Sequence, residues 1–334
     1  MSASLIRSTG SSRSFTDSRR MLAALAILPI GATVALTACS SDDGSDSADS
    51  GPCATSSSAE RENVRPINVP TSEVSVLNPG TGERAALAPK PSIASPQQVT
   101  LTTNSIESSI APGEQNRQQV QKTEQNLTTP ITARVVCDDP SDLEFTIGAP
   151  TTKDEALAPE LEALDGSAGG ITFGEGLDPR SLRLFPDEDS GSPARSALEQ
   201  SVTGALDKSV PLPTEPVGTG ATWKAERVVQ AAATVTQTMT VTLESRVGNV
   251  LQLGVRLEQT PTSSVFRIPG SAQTLRIARY SMAGEGDVTV DLTKLLPTAG
   301  RITSKGAREL VGDDPGAPLL QQNEFTVAWG GGDE

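Results

Sequence analysis

The chain has 334 residues, 3% of them aromatic, with 41 acidic and 27 basic side chains and a formal net charge of −14. It contains no histidine, which excludes a Ser-His-Asp triad, a Cys-His pair, HExxH zinc sites and facial-triad iron. No serine stands three residues before a lysine, so the S-x-x-K signature is missing too.

The charge is unevenly spread. The first 38 residues hold four arginines and one aspartate, a net of +3, which leaves −17 on residues 39 onward. A surface this acidic repels nucleic acid and anionic head groups, so no nucleic-acid partner is expected. Arg19 and Arg20 precede "MLAALAILPIGATVALTA", an apolar run interrupted by Pro29 and Gly31. A basic region, a short apolar region and then small residues predict a signal peptide over residues 1–38. The run is barely long enough to span a bilayer. Leu36-Thr37-Ala38-Cys39 resembles the bacterial lipobox. That resemblance implies a diacylglyceryl group on the Cys39 sulfur, cleavage just before it, and a membrane partner held through covalent lipid on the extracytoplasmic face. Ser18-Arg19-Arg20-Met21-Leu22 also resembles a twin-arginine export signal without its usual aromatic, and an ordinary general-export leader fits as well.

From Cys39 to residue 72 the sequence is rich in Ser, Asp, Ala and Pro with hardly an apolar cluster. Such a composition cannot offset ordering entropy, so residues 39–72 are expected to be a lipidated disordered tether. A flexible coil of that length spans roughly 30 Å. With Cys39 lipidated, Cys53 and Cys137 remain, and in an oxidising compartment they form a candidate disulfide. Two free thiols are the alternative, since Cys53 falls in the expected tether and Cys137 in a strand-like segment.

Residues 73–334 read as a β-rich body, mainly β with some helix. Alternating apolar residues predict strands at 97–110, 131–137 and 143–149, with "DDPSD" as the turn between the last two. "TVTQTMTVTLES" and "VLQLGVRLEQ", separated by "RVGN", predict an antiparallel hairpin. "DVTVDL" and "NEFTVAW" add two more strands. One helix is expected at about 193–207, with Ser192 as N-cap, Pro193 at its first position, and Leu198, Val202, Ala205 and Leu206 on one stripe. It would divide the body into halves of about 75–186 and 212–330. The expected architecture is an antiparallel curved sheet or open barrel built from those halves.

Motif-level chemistry is sparse. Gly218-x-Gly220 lacks the third glycine and the preceding strand of a nucleotide loop, so no cofactor is expected. Instead the prolines of "PLPTEPVGTGATW" predict a stiff approach, the glycines a tight turn, and Trp223 a buried anchor. "PDEDSG" fails the calcium-loop pattern at Gly191 and Leu198, so no metal site is expected. The segment from Pro213 to Trp223, with "DLTKLLP" at 291–297, resembles a family of uncharacterised actinobacterial surface lipoproteins that share a domain of unknown function. The resemblance covers about residues 75–330 and implies a location and a fold type, with no activity and no catalytic residues. The expected role is a non-catalytic envelope binding module, with an apolar or lipid molecule as its candidate ligand. The alternatives are a scaffold binding the cell wall or an envelope protein without a ligand cavity and, least favoured, an enzyme working through carboxylates alone.

Overall fold

The computed structural model describes residues 51–331 apart from 62, 63, 113–117, 231, 269, 271–273 and 315. The expected signal peptide, Cys39 and the tether up to residue 50 lie outside the described residues.

The chain begins with β1 (Ile67–Asn68), β2 (Glu73–Asn78), β3 (Thr81–Ala85), β4 (Gln97–Pro112), β5 (Gln118–Val135) and β6 (Asp142–Ile147). A short helix α1 (Ala158–Leu161), β7 (Ala168–Phe173), β8 (Pro179–Phe185) and the long helix α2 (Ser192–Leu206) follow. The remainder is β9 (Val217–Thr219), β10 (Thr222–Gln230), β11 (Thr234–Val247), β12 (Val250–Pro261), β13 (Val265–Arg267), β14 (Thr274–Asp291), β15 (Ala299–Val311) and β16 (Leu319–Gly331). All but β3 and β9 join one 14-stranded sheet, in the order β1-β8-β7-β6-β5-β4-β16-β15-β14-β12-β11-β10-β2, with β13 on β14.

The two expected halves are therefore a single sheet. The first long strand of one pairs with the last strand of the other, from Gly331 opposite Val99 to Leu320 opposite Ile110. The sheet is antiparallel throughout and does not close. Its free edges nevertheless come close, because β1 pairs with β8 and β2 with β10 at opposite ends of the strand order. Only residues 69–72 connect β1 to β2, and an extended chain reaches at most about 18 Å over that distance. The sheet must curl into an open barrel whose gap is crossed by this one strap. The strap is held by Val69 N–H donating to Arg180 O at 2.9 Å and Ser72 N–H donating to the Asp178 carboxylate at 3.0 Å.

Alternation along each strand sends Leu101, Leu127, Leu143, Met239, Leu253 and Val327 into one buried cluster on the concave side. Helix α2 fills that concavity with Ala194, Leu198, Val202, Ala205 and Leu206, the stripe that its spacing predicts. Its N-cap is Gly191, and Ser192 is the first helical residue, with no side-chain capping bond. The C-terminal carbonyls that every helix leaves open are taken up by the sheet. Arg227 donates to Leu206 O and Ser209 O, and Gln237 donates to Asp207 O at 2.7 Å. Trp223 is fully buried and donates its indole N–H to Pro211 O at 2.8 Å, so it anchors the proline-rich approach as expected. Gly218 sits against the Gly80 turn, its N–H 2.8 Å from Pro79 O, where a side chain would run into Thr81 O. Gly218 thus serves close backbone approach, while Gly220, at φ 77° with open space around it, makes the expected tight turn.

The expected tether is too long. From Gly51 onward, residues 51–61 and 64–72 belong to the body. Cys53 and Cys137 form a disulfide with Cα atoms 5.3 Å apart, and Ala54 bridges Val136. Cys137 itself lies just past the end of β5, in the turn towards β6. Residues 57–60 lie over the face of β6 and β8 opposite the core and cover Arg183. Arg183 Nη2 is 2.7 Å from Asp142 and 3.1 Å from Glu144, and its Nε donates to Ser58 Oγ at 2.8 Å. Composition misses this ordering because it rests on a covalent bond and long-range polar contacts rather than on local apolar burial.

Candidate binding groove

Antiparallel order gathers the β5–β6, β7–β8, β11–β12 and β14–β15 connections at one end of the sheet. An open groove of about 470 Å³ lies there, lined by Leu87, the prolines Pro89, Pro91, Pro140 and Pro213, and the 173–177 segment. Pro140 and Ser141 belong to the same turn as Cys137, so the groove and the disulfide occupy one end of the molecule.

Phe173, Leu177 and Leu295 also line a second space, an apolar crevice between the end of α2 and strands β14, β15 and β16. The crevice holds only about 40 Å³, whereas small-molecule sites are typically about 300–1,000 Å³. An enclosed, ligand-sized cavity is therefore not what lies beneath the helix. Of these two adjoining spaces, the open groove is the one large enough for a ligand. Its junction with the crevice is shaped by an unusual turn, Gly176 at φ 66° followed by Leu177 at φ 61°. Glycine adopts that conformation freely, but in leucine it is sterically strained, by about 1–3 kcal/mol. The strain is held by Leu212 N–H donating to Gly176 O at 2.7 Å and by the burial of Leu177 in the core. It aims Leu177 between groove and crevice.

Lys208, two residues beyond α2, also lines the crevice and is half-buried. Its Nζ lies 5.9 Å from the centre of the Phe325 ring, and no carboxylate pairs with it among the described residues. Burial lowers the ammonium's pKa, only partly opposed by Asp207, while Arg227 adds to the lowering. Burial likewise raises the Asp207 carboxyl against the pull of Lys208 and Arg227. Desolvation thus outweighs attraction at both neighbours.

The sign of the stability effect follows. With its folded pKa below the ordinary 10.5, Lys208 contributes stability above that pH and loses it as pH falls through the folded value. At neutral pH the charged side chain is a burden. Lys208→Met should raise the melting temperature at pH 7, with the gain shrinking towards pH 10.5, as read by circular dichroism. A lower melting temperature at pH 7 would show that the ammonium is well solvated.

Of the residues singled out in the sequence, Cys53 and Cys137 meet at the groove end, and Trp223 lies in the core beneath it. The acidic "PDEDSG" is a turn before α2 in which Arg195 donates to the Asp187 and Glu188 carbonyls. Among the described residues no group of three or more acidic or cysteine side chains suits a metal ion, and no helix is long and apolar enough to cross a membrane. Leu177 and Lys208 carried no sequence signal, since a positive φ and a missing partner are tertiary facts. No protein-family model matches this chain, and no curated protein does either.

Proposed function

We propose that the chain is a lipid-anchored protein of the extracytoplasmic membrane face, a non-catalytic module that binds an apolar ligand. One observation carries this reading. The apolar groove opens at the end of the sheet where the Cys53–Cys137 disulfide fixes the segment leading back to Cys39. A lipid on Cys39 would hold that end, and so the groove mouth, towards the bilayer. At about 0.8 kcal/mol per buried methylene, two acyl chains give stable attachment without a receptor. The resemblance at residues 213–223 and 291–297 supports the same placement.

The anchor is tested by Cys39→Ala. Wild type should fractionate with membranes at its mature mass, while the variant is released or stays uncleaved. A variant found on membranes at normal mature mass would overturn the lipid anchor. A second reading, an envelope scaffold, is favoured by the face opposite the core. There Leu320, Ile110 and Val120 stand in direct register across β16, β4 and β5, with Leu320 39% and Val120 64% exposed. Organic extracts of the purified protein separate the two, since a scaffold carries no co-purifying lipid.

A further inference from the structure

The groove and the crevice differ in one respect that bears on the ligand. Every side chain that both spaces share is apolar, yet the crevice is also lined by Lys208, which makes no ion pair among the described residues. A half-buried cation facing an apolar space is costly unless something pairs with it. Among the described residues the polypeptide supplies no ion pair. Asp207, the adjacent carboxylate, makes no ion pair with Lys208 among the described residues, and the Arg227 guanidinium is spent on the carbonyls of residues 206 and 209. Three polar side chains of the concave wall pair with one another, Gln259 donating to Gln237 and Tyr280 donating to Gln259.

Resting on the reading of an apolar-ligand module, we propose that the site takes one long-chain carboxylate, a free fatty acid. Its carboxylate pairs with Lys208 Nζ, and its chain runs past Leu177 and Leu295 to the groove beside Pro140. Three features select this occupant. The ammonium calls for an anion. Its place in a narrow space that is otherwise almost wholly apolar admits a small head group rather than the bulky, hydrated head of a phospholipid. At about 40 Å³ the crevice must widen to take even one chain. For the chain to pass, Leu177 and Leu295, which line both spaces, must turn aside, and the strained backbone at Leu177 makes that position the one already under tension.

The test uses the full, disulfide-bonded chain and 9,10-dibromostearate, whose bromines quench nearby tryptophans. Trp329 lines the crevice and is the intended reporter. Quenching should be saturable, competed by stearate, and largely lost in Trp329→Phe. Lys208→Gln should weaken stearate by about tenfold or more, the size of a lost charge-assisted hydrogen bond, and leave stearyl alcohol unchanged. Lys208→Arg should retain stearate binding, which guards against a misfolded glutamine variant. Quenching that survives in Trp329→Phe would place the ligand elsewhere and overturn the site. Saturable quenching by acid and alcohol alike, indifferent to Lys208, would overturn the carboxylate but leave the apolar-ligand module standing. No saturable quenching in a folded protein would overturn both.

Discussion

Arg183→Met should lower the free energy of unfolding by roughly 3–5 kcal/mol, measured by urea denaturation of the oxidised protein. Arg183 is 2% exposed, on the sheet face that carries no helix. Its guanidinium faces Asp142 at 2.7 Å and Glu144 at 3.1 Å and also donates to Thr172 and Ser58. Ser58 returns the contact by donating its N–H and hydroxyl to Glu144, each at 2.8 Å, and Ser57 bonds the Asp142 carboxylate. Removing the cation strands two carboxylates under the 57–60 cover, and an uncompensated buried charge is far more costly than a lost pair is valuable. Adding Asp142→Asn and Glu144→Gln to the arginine variant should recover most of the loss. A single-variant loss below about 1 kcal/mol would mean that water reaches both carboxylates.

The second large effect is the disulfide. Cys53 and Cys137 enclose 84 residues, and on the chain-entropy model a loop of that length contributes roughly 4–5 kcal/mol. Cys137→Ser, or reduction, should shift the urea midpoint accordingly. The loss should not add to that of Arg183→Met. The bond holds residues 51–61 on the sheet, and those residues bury Arg183, so once they leave, the arginine and its partners become solvated. A double-mutant cycle should therefore give a combined loss smaller than the sum. Reduction should also expose the Arg61 peptide bond to trypsin, because among the described residues Arg61 is held by its N–H on Ser58 O and by stacking 5.3 Å over Phe185. Full additivity, with no new cleavage at Arg61, would show that the segment keeps its place without the bond.

How much was legible from the sequence follows from where water is excluded. "TVTQTMTVTLES" and "VLQLGVRLEQ" announce their strands because α2 covers one face of them and leaves the other wet, which writes a period of two into the residues. The same strand type goes unread where neither face is dry. β5 was expected only from residue 131 and begins at 118, through "QQVQKTEQN", beyond the reach of the helix. β14 was expected from 287 and begins at 274, and Gly284 and Gly286 stand where inward apolar residues would have marked it. β15, with Gly300 and Gly306 inside it, carried no readable alternation. The strand edges are equally silent, since β1 and β2 hold their places only through partners more than a hundred residues away.

By itself the sequence determined the class of fold, the helix and its buried stripe, and the burial of Trp223, and it offered Cys53 and Cys137 as a candidate pair that the structure then joined. These are properties of local spacing and composition, and they survive without knowledge of neighbours. Only the tertiary structure decided that the two halves are one sheet, that its edges meet under a four-residue strap, and that the body starts at residue 51. It alone decided that Lys208 lines an apolar crevice with no ion pair among the described residues and that Leu177 is turned into the left-handed region. Each of those depends on which distant groups come together to exclude water, and a linear pattern holds no record of that.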